Sequence, residues 1–293
     1  MRPSEINPSI RVNRDALCFR AREHIFPLGK KTYIMGILNI TPDSFSDGGR
    51  YSDLEKAAAH AHAMIEAGAD ILDVGGESTR PGSTPVSEEE EIRRILPVLK
   101  RLSSECRIPI SVDTWKSGVA RAAVDAGASV INDVWGARRD PEIATVASEC
   151  GAGLILMFNA FDPELVNKTG DILADATRYL AESVRIARTG GVGEDRIMLD
   201  PGIGFGMSTD ESLRLIAGIP QILSLGFPVL VGPSRKRFIG ATLDVPVEER
   251  MPGTLGVCSA SAMLGANVVR VHDVRETAQA VRMVDAIRAA SEE

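Results

Sequence analysis

The sequence predicts an α/β chain folded as a single (β/α)8 barrel with a short N-terminal β-hairpin, and three observations lead there. First, apolar runs short enough for buried strands alternate with longer helical patterns, about eight times in roughly 250 residues, with no break in composition. Second, Ala67-Gly-Ala-Asp70, Ala126-Gly-Ala-Ser129 and Leu264-Gly-Ala-Asn267 recur just before strands as helix stops, where glycine suits a left-handed C-cap. Third, the strands end in polar residues. The main rival, an open doubly wound sheet, usually carries a Gly-rich fingerprint after its first strand, and Asn39-Ile-Thr-Pro-Asp43 is not one.

Residues 1–14 read as a loose lead-in and Ala16–Leu28 as a hairpin around Arg20–Glu23, so that 1–32 precede a barrel domain over 33–293. Tyr33–Leu38 is an apolar run that turns polar at Asn39 and breaks at Thr41-Pro42-Asp43. The connection that follows reads as a loop to about Ser52, longer than the ~2–6 residues usual in compact domains, which marks it as a functional loop. Helices are predicted over Leu54–Ala67, Glu88–Leu102 (capped by Ser87, with acids in its first turn), Lys116–Ala126, Pro141–Cys150, Asp171–Thr189 and Asp210–Ala217, then up to Ala266 and over Val274–Ala290. The strands between them are Ala69–Val74, Ile108–Val112, Ser129–Ile131, Gly153–Phe158, Arg196–Leu199, Pro228–Val231 and Asn267–Val271.

Composition narrows the function. Of 293 residues, 25% are charged with no long single-sign run, as in a soluble globular protein, and the net charge of −7 argues against nucleic acid as the main partner. No apolar segment is long enough to cross a bilayer. Cys18, Cys106, Cys150 and Cys258 lack metal-ligand spacing and read as reduced core residues, which makes a cytoplasmic setting the default expectation.

In a barrel of this kind chemistry sits where the strands end. There the chain places Asn39, Asp73, Asp113, Asn132, Phe158 and Asn159, Asp200, Ser234 to Lys236, and Arg270 with His272. Singly, each reads as a helix cap. Together they put amides and carboxylates around one face and cations after the last two strands. Lys236, Arg270 and His272 fall where barrels commonly hold phosphate, and Arg80 in the second loop could reach the same place. Asp113, Asn132 and Asp200 can read a flat heterocycle along its edge, and carboxylates suit a group that gains positive charge. His24, His60 and His62 read as surface or packing residues. The residues alone thus describe a barrel enzyme that binds a polar ring on one side and a phosphorylated group on the other.

At these positions the chain resembles the dihydropteroate synthases, the folate-pathway family that sulfonamides inhibit. The resemblance runs from Tyr33 to near the end. It is carried by Met35-Gly-Ile-Leu-Asn-Ile-Thr-Pro-Asp-Ser-Phe-Ser-Asp-Gly-Gly49, Asp73-Val-Gly-Gly-Glu-Ser-Thr-Arg-Pro-Gly82, Ser111-Val-Asp-Thr114, Asn132-Asp-Val134, Asp200-Pro-Gly-Ile-Gly-Phe-Gly206, Gly232-Pro-Ser-Arg-Lys236 and Arg270-Val-His-Asp-Val274. It implies condensation of 6-hydroxymethyl-7,8-dihydropterin diphosphate with 4-aminobenzoate to 7,8-dihydropteroate and pyrophosphate, usually with Mg²⁺, in a homodimer. It further implies that Asp113, Asn132, Asp200 and Lys236 hold the pterin. Arg270 would cover the ring and, with His272, Asn39, Thr79 and Arg80, hold the diphosphate. Pro42 and Phe45 would flank the aminobenzoate ring, with Ser234 at its carboxylate. Asn39 would be the protein ligand to Mg²⁺, Asp73 a support behind the site, and the mechanism an SN1-like substitution.

Two positions depart from the family pattern: Phe158 follows Met157 where many members have His, and Met207 follows Gly206 where many have Lys. Two other readings compete. A methyltetrahydrofolate:corrinoid methyltransferase shares the pterin-binding barrel but has no diphosphate to hold, and a silent pterin-binding paralogue would carry damaged loop motifs. The cationic strand ends and the whole loop motifs argue against both.

Overall fold

The computed structural model describes residues 18–40, 49–77, 85–161 and 169–291. A hairpin of β1 (Cys18–Ala21) and β2 (His24–Pro27) leads into β3 (Tyr33–Asn39). Then come α1 (Gly49–Ala67), β4 (Ile71–Gly75), α2 (Glu88–Glu105), β5 (Ile110–Asp113), α3 (Ser117–Asp125), β6 (Val130–Asp133), α4 (Glu142–Cys150), β7 (Gly153–Met157) and α5 (Ile172–Thr189). The chain ends with β8 (Ile197–Asp200), α6 (Thr209–Ala217), α7 (Ile219–Leu223), β9 (Leu230–Val231), α8 (Arg237–Leu243), α9 (Met251–Met263), β10 (Val268–Val271) and α10 (Val274–Ala290).

Strands β3 to β10 form one eight-stranded parallel sheet in the order β8-β7-β6-β5-β4-β3-β10-β9. Leu199 bridges Val229, and its N–H donates to the Pro228 carbonyl at 2.8 Å, so the two ends of the sheet meet and the sheet rounds into a barrel. The repeated helix stops behave as the sequence implies: Gly68, Gly127 and Gly265 have φ of 107°, 110° and 103°. Ser87 caps α2 by accepting from the Glu90 N–H.

Two boundaries differ from the sequence reading. The first barrel helix begins at Gly49 and not near Leu54, so the connection after β3 is shorter than expected. The sequence signals there, Asp47-Gly-Gly49 and Ser52, are those of turns, and the same residue types also stand at helix starts. The seventh barrel strand is Leu230–Val231 only. Pro228 has no N–H for the ladder, and the Val229 N–H donates to Asn267 Oδ1 at 2.9 Å instead.

Inside the barrel, Ile71, Val130, Met198 and Val268 pack in one cluster with Met35, Ile155 and Leu230. The hairpin belongs to the same cluster through Phe19, Ala21, Phe26 and Leu28, so it closes the barrel at the end where the strands start. Phe19 is fully buried, and a Cβ on Gly153 would come within 2.5 Å of its ring, which leaves glycine as the residue that fits there. Arg22 at the hairpin tip fastens it further, its backbone N–H donating to the Gly151 carbonyl and Nη1 to that of Val124. The hairpin is thus part of the core. Phe19→Ala is expected to lower the unfolding free energy by about 3–5 kcal/mol in urea denaturation. A loss below about 1 kcal/mol would mean that the plug is dispensable.

Candidate active site

Alternation along the strands explains why the polar residues converge. Ile71, Val130, Met198 and Val268, on alternate barrel strands, make an apolar interior layer. Two residues further on each strand, on the same inward face, stand Asp73, Asn132, Asp200 and Arg270. A layer that fold rules fill with branched aliphatic side chains is therefore wholly polar. Asn39 ends β3 and Asp113 ends β5, above this layer on the intervening strands.

Arg270 ties the layer together. Its Nε donates to Asp73 Oδ2 at 2.6 Å, and Nη2 donates to Asp113 Oδ2 at 2.7 Å. Asn132 Nδ2 donates to the same Asp73 oxygen at 3.1 Å. Asp73, Asp113, Asn132 and Asp200 are all buried. Two carboxylates share one guanidinium, which leaves the trio one negative charge in excess. Burial pushes the Asp113 carboxyl up to about 7, opposed by Arg270 and reinforced by Asp73. Burial works against the charge of Arg270 too, yet Asp73 and Asp113 hold its pKa above the usual range.

Lys236 has separate partners. Its Nζ donates to the Ile203 carbonyl and lies 4.5 Å from the centre of the Phe205 ring. Gly204, at φ +85°, lets the loop after β8 press on the lysine stem, because a Cβ there would sit 3.0 Å from its Cδ. Burial lowers the ammonium pKa to about 8, with the Asp200 charge opposing the fall. Asp200 is raised by burial against the pull of Lys236, and its Oδ1 accepts from the Gly202 N–H at 2.7 Å. At the neighbouring strand ends Ser234 Oγ lies 2.8 Å from His272 Nδ1 and accepts from the His272 backbone N–H at 3.1 Å. Arg235 is held in a two-pronged pair with Asp273.

Of the residues singled out by sequence, Asp113, Asn132, Asp200, Lys236 and Arg270 converge on one rim, with Asn39, Ser234 and His272 at strand ends around it. Pro42, Phe45, Thr79 and Arg80 lie outside the described residues. One expectation changes. The cations do not stand apart from an acidic half: Arg270 pairs with Asp73 and Asp113, Lys236 feels the charges of both Asp200 and Arg270, and His272 lies against Ser234. The reason is electrostatic, since buried carboxylates draw counter-charges to themselves and the Arg270 side chain is long enough to cross the barrel mouth.

The two departures from the family pattern also resolve. Ile155 points inward, so alternation turns Phe158 outward, where it is fully buried and meets Tyr179 edge-on at 5.3 Å. It walls the outer core and not the mouth. Met207 is buried in that same outer core.

Sequence reading missed a second ion cluster. Lys116 Nζ donates to Glu91 Oε2 and the Val86 carbonyl at 2.6 Å and to Glu77 Oε2 at 2.7 Å, joining the segments after β4 and β5. The available signal was a lysine three residues past a strand-end aspartate, but it read as an ordinary helix start.

For a metal, the donor chemistry near Asn39 is informative. Asn39 Oδ1 and Asp113 Oδ2 flank Gly75 from two sides, 3.9 and 3.8 Å from where a Cβ would stand, and the second already accepts from Arg270. Among the described residues no group of three His, Cys, Asp or Glu is suited to a metal. An amide oxygen such as that of Asn39 is a donor Mg²⁺ accepts, and an ion that keeps water and phosphate oxygens needs only one or two from the protein.

The rim can be compared with known proteins. The family profile described as "Pterin binding enzyme" matches residues 35–272. A dihydropteroate synthase of Bacillus subtilis is 50% identical over 258 residues, 88% of this chain and 89% of that protein. The Escherichia coli K12 dihydropteroate synthase is 42% identical over 263 residues, 89% and 93% of the two chains. Among solved structures, a Clostridium difficile dihydropteroate synthase crystallised in the presence of pteroic acid aligns with a TM-score of 0.85 at 44% identity, covering 89% of this chain and 98% of that one. The Xanthomonas albilineans enzyme with 4-aminobenzoic acid gives 0.86 at 41% identity, covering 93% and 98%.

Arg270→Leu would leave Asp73 and Asp113 buried without their counter-charge. The expected loss of stability is about 3–5 kcal/mol at pH 8. Asp113 is raised in the folded state, so between its unfolded value near 4 and its folded value the native chain holds the extra proton and stability falls as pH rises. Removing Arg270 extends that fall upward, so the loss should be visibly smaller at pH 5. Equal losses at both pH values, read by thermal melting, would contradict the shared-guanidinium account.

Proposed function

The chain belongs to the dihydropteroate synthase family of pterin binding enzymes, a transferase of folate biosynthesis, and from that premise we propose how its rim performs the reaction. The substrates are 6-hydroxymethyl-7,8-dihydropterin diphosphate and 4-aminobenzoate. The pterin ring lies against Asp113, Asn132, Asp200 and Lys236, where carboxylate and amide acceptors can take its ring N–H and amino protons and the ammonium can meet an acceptor. Arg270 covers the ring and, with His272, Asn39, Thr79 and Arg80, holds the diphosphate. Pro42 and Phe45 flank the aminobenzoate, and Ser234 meets its carboxylate. The amide oxygen of Asn39 would be the protein ligand for Mg²⁺, which when bound would neutralise charge on the diphosphate.

The substitution is SN1-like. As the bond from the pterin methylene to oxygen breaks, positive charge spreads into the ring, and the buried Asp113 carboxylate stabilises it. Arg270 and His272 accept the departing negative charge. The aniline nitrogen then attacks the methylene carbon, and the proton it sheds passes to the released pyrophosphate or to solvent. The observation that supports this reading is the grip of Arg270 on Asp113: the group suited to a leaving anion already contacts the group suited to the developing cation. The chain is further proposed to act as a cytoplasmic homodimer.

Mixing the protein with pterin diphosphate, 4-aminobenzoate and Mg²⁺ should release pyrophosphate only when the aminobenzoate is present. Release without it, or none at all, would defeat the reading. Catalysis here needs Asp113 ionised and Lys236 protonated. The kcat/KM for the pterin substrate should therefore rise with pH through about 7 and fall through about 8. Asp113→Asn should abolish the acid limb and lower kcat/KM about a hundredfold or more. A flat profile between about pH 6 and 9 for the unaltered enzyme would remove both assignments.

A further inference from the structure

Asp73 stands in the same layer as the proposed pterin contacts but differs from them in one respect. Its relative exposure is 0%, against 4% for Asn132 and 6% for Asp113 and Asp200, so no substrate can touch it. Its Oδ2 accepts from both Arg270 Nε and Asn132 Nδ2. In sheet order Asn132 on β6 and Arg270 on β10 each lie two strands from β4, on opposite sides, so the carboxylate reaches over one strand in each direction. Its Oδ1 is buried and, among the described residues, has no hydrogen-bond partner. A carboxylate kept dry with one oxygen unsatisfied is a poor contributor to stability, and its place calls for another account.

We propose that Asp73 is the positioning residue for the pterin half of the site, one oxygen setting both the face of the Asn132 amide and the plane of the Arg270 guanidinium. The chemistry is directional. An ionised carboxylate can only accept, so it fixes the NH₂ end of Asn132 toward itself and turns Oδ1 the other way as an acceptor. The opposite amide orientation would set two acceptor oxygens against each other. A substrate ring edge that offers N–H donors needs the acceptor outward. On the other side, Nε on Asp73 and Nη2 on Asp113 are two points that hold the guanidinium plane across the mouth. Asp73 thus acts on substrate through two neighbours and touches neither it nor the reacting atoms.

The proposal rests on the reading of the site given above, and steady-state kinetics on Asp73→Asn and Asp73→Ala separate the two. Asp73→Asn keeps an acceptor oxygen but removes the charge and offers an NH₂ that can invert the Asn132 amide. Asp73→Ala removes the acceptor altogether. Both should raise KM for pterin diphosphate, by about tenfold for Asn and more for Ala, while KM for 4-aminobenzoate stays within about twofold. A merely structural role would lower kcat through a smaller folded fraction and leave both KM values where they were. Unchanged KM for the pterin substrate in Asp73→Asn overturns the proposal, as does a failure of both variants to fold, which would make Asp73 a fold residue. Failure of the unaltered chain to release pyrophosphate would instead remove the reading beneath it.

Discussion

Arg270 lies between Asp73 and Asp113 inside a barrel, and the arrangement of the mouth depends on that contact. The pairing joins residues 197 and 157 positions apart in the chain. It brings the eighth barrel strand across to the second and third, and with Asn132 it ties in the fourth. Its energetics are those of buried charge: desolvation opposes every member, and attraction offsets this only where geometry is good. Both carboxylates keep one oxygen without a partner among the described residues. The free Asp113 oxygen is an open acceptor in a place where a polar ring could complete it, whereas that of Asp73 lies behind the reach of a substrate.

The second buried ion cluster supplies the contrast. The Lys116 ammonium has three protons and three acceptors, and it joins two segments beside the barrel without reaching the layer of Asp73. Its donors are all taken, as suits a fastening, and the oxygen left without a partner there among the described residues is Glu91 Oε1, beside the segments it joins. The apolar lower half of the barrel and its hairpin plug then take on the task of stability. Phe19, Ala21, Phe26 and Leu28 continue the aliphatic interior downward, so the polar layer above them need not contribute to holding the barrel closed.

The fold was legible because its signals are local. Strand and helix periods, glycine stops and polar strand ends all lie within a few residues of what they specify. The membership of the rim was legible for the same reason, since a strand-end position puts Asp113, Asn132 and Asp200 on one face whatever lies across from them. Partnership was not legible. The sequence sorts side chains by sign of charge, whereas the folded mouth pairs opposite signs, so Arg270 left the cationic group for two aspartates and Lys236 settled near Asp200. The destination of the hairpin was hidden likewise: its apolar runs were plain, but that they plug the barrel depends on contacts with strands throughout the chain. Phe158 was a different kind of case. Its parity with Ile155 was in the sequence and turns it away from the mouth, but only once the inward residue of that strand is known.

Lys236 shows most clearly how burial reassigns a residue. Read by position, a lysine after the seventh strand belongs with phosphate. Its ammonium instead donates to the Ile203 carbonyl beside the Phe205 face, and burial lowers its affinity for a proton. A group in that state is poorly suited to clamp a fully charged diphosphate, which asks for a solvated or permanently charged cation. It is well suited to donate one directed hydrogen bond to a neutral acceptor while Asp200 beside it takes a hydrogen bond in return. Arginine keeps its charge under the same burial, and Arg270 is exposed enough on one side to meet an anion entering from solvent. The proposed division of the mouth into a ring half and an anion half therefore follows how each cation responds to losing water, and not where it falls along the chain.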